Sequence, residues 1–445
     1  MSLVKEKASI ENIYKLDGRV PVINALFFGI QHVLAMFVSN IAPITIISAA
    51  AVPALTQKQM GMLIQDAMFV AGIATMIQLY PLWKIGAKLP IVMGMSFTFV
   101  TILCSIAANY GYPTVIGAVI VGGIFEGTIG LLVRKITKLI KPIVAATVVS
   151  GIGLSLFTVG VRSLGGGYTE DFGSATNLIV GTVTLAATLL FLIVLKGHRK
   201  ALSVLFGLTV GYILSIALGM VDFSGIFSDG LVSLPHFLIV KPQFRIGAIV
   251  SVCIIFLVSA AETIGDVSAM TSGGLGREAT DKEISGALAA DGYMSSFSAI
   301  LGCPPITSFS QNVGLIAMTK VVNRYSILMG ALVMVLSGFL PPLGNFLASL
   351  PQPVLGGCTI IMFGQILLSG MQMISRCGFT KRNVTIASLS LSLGIGTTAA
   401  SESDIWNVFP EIVQDIFKEN AVAVIFVTAL ILSFVLPQKM DDEEN

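Results

Sequence analysis

Five residues that could do chemistry stand where the surrounding chain is almost wholly apolar. Glu262 and Asp266 lie in "SAAETIGD", four residues apart and so on one face of a helix. Asp291 follows in "ALAADGYMSS", and Gln311 and Asn312 sit side by side in "PITSFSQNVGLIAMTK". A carboxylate accepts hydrogen bonds at both oxygens, whereas a carboxamide donates through its NH2 and accepts through its carbonyl. Such a set can hold a polar ligand in a fixed orientation, and a carboxyl kept from water can take up and release a proton. No Ser-His-Asp or Cys-His arrangement accompanies it. The Gly-rich "RSLGGGYTED" at 162–171 has neither P-loop nor dinucleotide spacing. Neither an enzyme nor an ATP-driven machine is indicated.

The elements that must position these residues follow from composition. Of 445 residues, 55% are hydrophobic and 11% charged, against roughly a quarter charged in soluble proteins. So little charge cannot cover a surface in water, and the chain reads as an all-α integral membrane protein. About fourteen apolar segments approach bilayer-spanning length: 21–50, 60–82, 90–108, 113–133, 141–161, 176–195, 201–220, 246–265, 284–303, 305–320, 325–349, 354–375, 383–401 and 421–437.

Lys and Arg are enriched on the cytoplasmic side of membrane proteins. With the N-terminus inside, this count puts 21 of the 26 in inner segments, including Lys84, Arg134, Lys135, Lys138, Lys141, Arg199, Lys282, Arg382 and Lys439. Only Lys58, Arg162, Lys241, Arg245 and Lys418 fall outside. Both termini are therefore expected in the cytoplasm of a multi-pass plasma-membrane protein, with "QKMDDEEN" a solvated tail. The N-terminal segment lacks the apolar core of a signal peptide. The net charge of +2 says little about partners, but the scatter of basic residues through loops argues against nucleic acid. The five cysteines show no metal-ligand spacing, and no metal or cofactor is expected.

Weak similarities recur in order 211 to 220 residues apart: "FVSNIAPIT" with "LVSAAETIG", "PIVMGMSF" with "PITSFSQN", "PTVIGAVIVGG" with "YSILMGALVMV", and "KPIVAATVVSGIG" with "QPVLGGCTIIMFG". They predict two halves of seven spans. Seven is odd, so the second half enters the membrane inverted, a pattern of secondary transporters. Spans three and ten are counterparts, and both look broken at Pro90 and Pro305 with Gly94 and Gly314 beyond. Irregular backbone at membrane depth survives only against protein or a water-filled cavity. A site is expected where the two face each other, with Gln311 and Asn312 opening a half-helix. A carboxylate in a span is costly and usually functional, which points to Glu262, Asp291 and Asp266. Asp66 and Glu126 are expected to make helix-to-helix hydrogen bonds, and His32 to be a satisfied hydrogen-bonding residue.

"SQNVGLIAMTK" resembles the signature of the nucleobase–ascorbate (nucleobase–cation symporter-2) transporters through Gln311, Asn312, Gly314, Thr319 and Lys320. "AETIGD", "GIQHVLAMF" and "LPIVMGMSFTF" resemble that family's eighth-, first- and third-span motifs, in the right order. The resemblance implies a core domain of spans 1–4 and 8–11 (21–140 and 246–349) and a gate domain of spans 5–7 and 12–14 (141–245 and 350–437). These lie between a cytoplasmic segment 1–20 and a tail 438–445. It implies short strands beside half-helices in spans 3 and 10, substrate between them, proton-coupled uptake of a nucleobase, and a homodimer. It assigns Glu262 and Gln311 to the base and Phe97 to its ring face, with Thr98 and Ser310 beside them. Asn312, Asp291, Asp266 and His32 are assigned to support or proton coupling. Uracil-type members commonly carry Glu and His where this chain has Gln311 and Asp266. The chain is similar instead to the xanthine and uric acid branch.

An oxopurine offers adjacent N–H donors and C=O acceptors. Glu262 and Gln311 could read its opposite edges, and half-helix N-termini favour an anionic purine. The proton carrier could be Glu262, Asp291 or Asp266. The rivals are a uracil or other nucleobase permease and a sulfate/bicarbonate-type anion transporter of the same architecture. The latter predicts no acid beside the substrate.

Overall fold

The computed structural model describes residues 8–132, 141–196, 200, 202–401, 403–437 and 440. Arg134, Lys135, Lys138, Arg199, Lys439 and most of the expected tail lie outside the described residues. In chain order the elements of the first half are α1 (Val22–Ala50), α2 (Gln57–Leu79), β1 (Met93–Met95), α3 (Val100–Tyr110), α4 (Tyr112–Leu131), α5 (Pro142–Leu164), α6 (Ala175–Val194) and α7 (Ser203–Ala217). They continue with α8 (Ile246–Met270), α9 (Asp281–Ile300), β2 (Ile306–Ser308), α10 (Ser310–Thr319), α11 (Arg324–Ser337) and α12 (Pro341–Ala348). The last are α13 (Gln352–Cys377), α14 (Lys381–Ala399), α15 (Glu411–Phe417) and α16 (Ala421–Val435). The order helix, helix, strand, short helix, helix thus occurs twice.

The expected apolar segments other than 325–349 fall on a helix or on a strand followed by a short helix. Among the described residues, seven helices are long and apolar enough to cross a membrane, or eight if a bent pair counts as one span. That pair corrects the expected segment 325–349, because α11 and α12 meet at 84° rather than forming one rod. Pro341 and Pro342 open α12 and cannot continue α11. A second difference is α8, which runs past residue 265 to Met270 and into a π-helical turn at Thr271–Leu275. Asp266 therefore lies within the helix rather than near its end.

The helices pack in two sets. In one, α4 lies along α8 and α9, and α11 along α1 and α2. In the other, α13 lies along α5, α6 and α7, and α16 along α5 and α14. Glycines permit the closest approaches: a Cβ at Gly292 of α9 would lie 2.1 Å from the Gly127 nitrogen of α4.

β1 and β2 pair antiparallel, Met93 with Ser308, Gly94 with Thr307 and Met95 with Ile306. Ser96 N donates to Pro305 O at 3.0 Å and Phe309 N to Val92 O at 2.9 Å, which extends the ladder at both ends. All six strand residues are buried, so their outer edges need partners from side chains. Met93 N donates to Thr75 Oγ1 and Met95 N to Asn40 Oδ1. Ile306 N donates to Ser295 Oγ, and Ser308 N to Asp291.

Asp66 and Glu126 do not make the helix-to-helix bonds expected of them. Asp66 accepts from the backbone N–H of His236, at 3.1 and 3.2 Å, in the segment between α7 and α8. Glu126 has no hydrogen-bond partner among the described residues.

Candidate functional site

The strand corners turn side chains into a cavity of about 1130 Å³. Its floor is Ser96, Phe97 and Thr98 after β1, with Thr307, Ser308, Phe309, Ser310 and Gln311 at the end of β2 and the start of α10. α8 contributes Glu262, Gly265, Asp266 and Ala269. The second helix set closes the opposite side with Val149 and Ile152 of α5 and Gln365, Ile366 and Ser369 of α13. The lining also takes in Lys141, Glu278, Arg376 and Arg382.

Glu262 is half-buried. Thr98 Oγ1 donates to its Oε2 at 2.6 Å, which fixes one oxygen of a side chain that lines the cavity. Asp266, one turn on and 7% exposed, accepts from Ser308 Oγ at 3.1 Å and Ser310 Oγ at 3.0 Å. It thus ties the last residue of β2 to the first of α10 and sets the direction in which α10 leaves. Gln311 follows in the first turn of α10, half-buried. Phe97 is buried and meets Phe363 of α13 edge to face, with ring centroids 5.3 Å apart. Gly94 stays bare because a Cβ there would lie 1.9 Å from the Phe309 ring.

Asp291, Asn312 and His32 stand outside this lining. Asp291 is fully buried and is held by three donors. Thr263 Oγ1 donates to Oδ2 at 2.5 Å, Ser308 N to the same oxygen at 3.3 Å, and Gln78 Nε2 to Oδ1 at 3.2 Å. One carboxylate on α9 therefore fastens α2, α8 and β2. Asn312 Nδ2 donates to the backbone carbonyl of His32 at 3.3 Å, joining α10 to α1. The imidazole of His32 is not the satisfied group expected, since its Nδ1 has no partner among the described residues.

The structure thus gathers Glu262, Asp266, Gln311, Ser310, Phe97 and Thr98 about one cavity and puts Asp291, Asn312 and His32 behind it. Sequence reasoning missed Gln78, Thr263 and Ser308, the partners of Asp291, Phe363, which packs against Phe97, and Gln365 on the far wall. Gln365 carried a signal, a polar residue in the apolar run "IIMFGQILL". Among the described residues no cluster of His, Cys, Asp and Glu fit to hold a metal ion occurs.

Residues 23–403 match the profile of a protein family described as a permease family. The chain is 32% identical over 414 residues to a xanthine permease of Bacillus subtilis, covering 92% of this chain and 93% of the relative. It is 30% identical over 446 residues to the xanthine permease XanQ of Escherichia coli, covering 97% and 95%. Among solved structures, the transmembrane domain of the cyanobacterial bicarbonate transporter BicA superposes with a TM-score of 0.53 at 14% identity, covering 92% of this chain and 96% of that one. The murine Solute Carrier 26 family member A9 anion transporter, in an inward-facing state, gives 0.62 at 11% identity, covering 96% and 70%. At such identities the likeness speaks for the fold.

Proposed function

Because this chain belongs to the nucleobase–ascorbate transporter family of multi-pass membrane permeases, we propose that it is a proton-coupled symporter taking up an oxopurine nucleobase, xanthine and/or uric acid. The observation that carries this reading is that Glu262, Gln311 and Phe97 line one cavity. Glu262 accepts N–H bonds from one edge of the base, Gln311 donates to and accepts from another, and Phe97 covers the ring face. Thr98 and Ser310 set the two ends. Names given to the relatives support a xanthine-like substrate, as does Gln at position 311 and Asp at 266.

In this reading the chain crosses the plasma membrane fourteen times, with both termini in the cytoplasm and the second seven spans inverted. The antiparallel pairing of β1 with β2 supports the inversion. α1–α4 and α8–α12 form a core that carries the substrate; α5–α7 and α13–α16 form the gate, and alternating access comes from movement of core against gate. The end of the cavity lined by Lys141 and Arg376 is read as the cytoplasmic one, which makes the conformation inward-facing. Two chains pair as a homodimer. Topology is testable with single cysteines. Lys282→Cys should react with an impermeant thiol reagent only from the cytoplasmic side, and Asp229→Cys only from outside; labelling of both from one side sinks the fourteen-span count.

The decisive measurement is uptake of labelled xanthine at two pH values, in competition with urate, uracil and other bases, alongside labelled sulfate. The anion-transporter reading is favoured by the fold likeness alone, and sulfate uptake without xanthine uptake would establish it. Uracil outcompeting xanthine would move the substrate to a pyrimidine. Gln311→Glu should lower xanthine affinity about ten-fold or more, since it turns a donor into an acceptor and a mismatched buried hydrogen bond costs roughly 1–3 kcal/mol. Unchanged binding to the purified variant would mean the carboxamide does not touch the base.

A further inference from the structure

α3 leaves the cavity floor with a polar edge. Thr101, Ser105 and Asn109 recur every four residues and so share one face of the helix, and that face meets the second helix set. Thr101 Oγ1 lies 3.4 Å from Ser155 Oγ of α5. One turn on, Ser105 Oγ donates to Oε2 of Glu419 at 2.5 Å, and after another turn Asn109 Nδ2 donates to the same oxygen at 3.4 Å. Glu419 immediately precedes Asn420, the N-cap of α16. At the start of α13, Gln352 Nε2 donates to the Thr45 carbonyl of α1 at 3.3 Å. These contacts lie far from the basic residues of the cavity lining. Gln352 opens α13 and Arg376 is in its last turn, so about 36 Å of helix separate them. Likewise Lys141 of the lining donates to the Ser433 carbonyl in the last turn of α16, whereas Glu419 precedes the first. Lys418, beside Glu419, is among the few basic residues expected outside. Glu419 and Asn109 are exposed, so water competes for their bond and the contact can part and re-form.

We propose that Glu419 is the latch of the outer gate. Its side chain, held by Ser105 and Asn109, keeps the outer ends of core and gate together while the cavity is open at the other end. Its release uncovers the face of Thr101, Ser105 and Asn109 as a wall of the outer path to the site. A contact made in the inward-facing form and broken in the outward-facing one stabilises the first alone, so its loss shifts the population outward. The inference rests on the alternating-access reading of the two helix sets and adds to it the residues that hold one side shut.

The test uses intact cells making the full chain with Thr101→Cys as a reporter, an impermeant thiol reagent outside, and the chain with only its native cysteines as background. Glu419→Ala should raise the rate of reporter labelling about three-fold or more. It should lower the external KM for xanthine by a similar factor, because more of the protein is outward-facing. Glu419→Gln, which keeps an acceptor, should fall between. Ser105→Ala with Asn109→Ala should raise labelling as Glu419→Ala does, and all three together no further, since both changes remove one contact. A labelling rate that Glu419→Ala leaves unchanged, at wild-type abundance in the membrane, overturns the proposal. If that variant fails to reach the membrane, an unchanged rate in Ser105→Ala with Asn109→Ala overturns it equally. Either result removes the latch and leaves the transporter reading intact. A substrate other than xanthine would change that reading, and the labelling result would still decide the latch. Reporter labelling from the cytoplasmic side alone would overturn the sidedness, and the latch with it.

Discussion

Glu262→Gln is expected to abolish pH-driven accumulation of xanthine while the protein still reaches the membrane. The amide has nearly the shape of the carboxylate it replaces, so α8 and the contact with Thr98 have little reason to move. Two properties disappear. The group no longer titrates, and an NH2 donor can face the base where an acceptor had been. A mismatched hydrogen bond in a site of this kind costs roughly 1–3 kcal/mol, more when a charge is involved, which corresponds to about ten-fold or greater loss of affinity. Loss of titration acts separately, on the slope of uptake with pH. The check is the accumulation ratio at two external pH values, with abundance followed through a tag. Normal pH-dependent accumulation by this variant would exclude Glu262 both as proton carrier and as essential ligand.

The second large effect is expected at Asp291. Its two oxygens accept from Thr263, Ser308 and Gln78, so all three neighbours are donors. Asparagine replaces one acceptor with a donor and sets it against another donor in a fully buried place. The expected cost is about 2–4 kcal/mol, combining lost charge-assisted bonds with a stranded buried group. Because one of the three donors is the backbone N–H of Ser308, the damage reaches β2 and the corner that aims Gln311. Asp291→Asn should lower the melting midpoint of the purified protein and cut xanthine uptake at least about ten-fold, and Thr263→Ala should do less, roughly 1 kcal/mol. A proton carrier at this position would behave otherwise, flattening the pH profile while leaving the melting midpoint in place. Wild-type melting in Asp291→Asn would show that the three donors do not depend on it.

The residues about the cavity were legible because each broke a local pattern. A carboxylate in a span, two adjacent carboxamides and a proline at the head of an apolar run are anomalies that a window of ten residues reveals. Near Pro90 and Pro305 the chain forms β1 followed by α3 and β2 followed by α10. The 84° bend between α11 and α12 was not read, although Gly338, Pro341 and Pro342 lay in view, because apolarity gives the length of a run and not its direction. The partners of Asp291 were hidden differently. Gln78 is 213 residues away in the chain, and nothing near it differs from an ordinary helix end. Glu126 was visible as an acid in a span. Its lack of a partner was not, since that depends on which faces of α8 and α9 close over it.

The strand pair has a consequence for how the chain must be made. Each strand has its outer edge satisfied from its own half, β1 by Thr75 and Asn40 and β2 by Ser295 and Asp291. The inner edges have only each other. During synthesis β1 emerges more than two hundred residues before β2, so the nascent first half carries a strand with one edge bare in an interior that water does not reach. Completion of the ladder is a late, long-range closure that joins the halves and forms the cavity floor in one event. A chain interrupted before residue 306 holds most of its helices yet has no cavity floor and an unpaired edge open to wrong partners, the condition in which membrane chaperones and degradation compete with assembly.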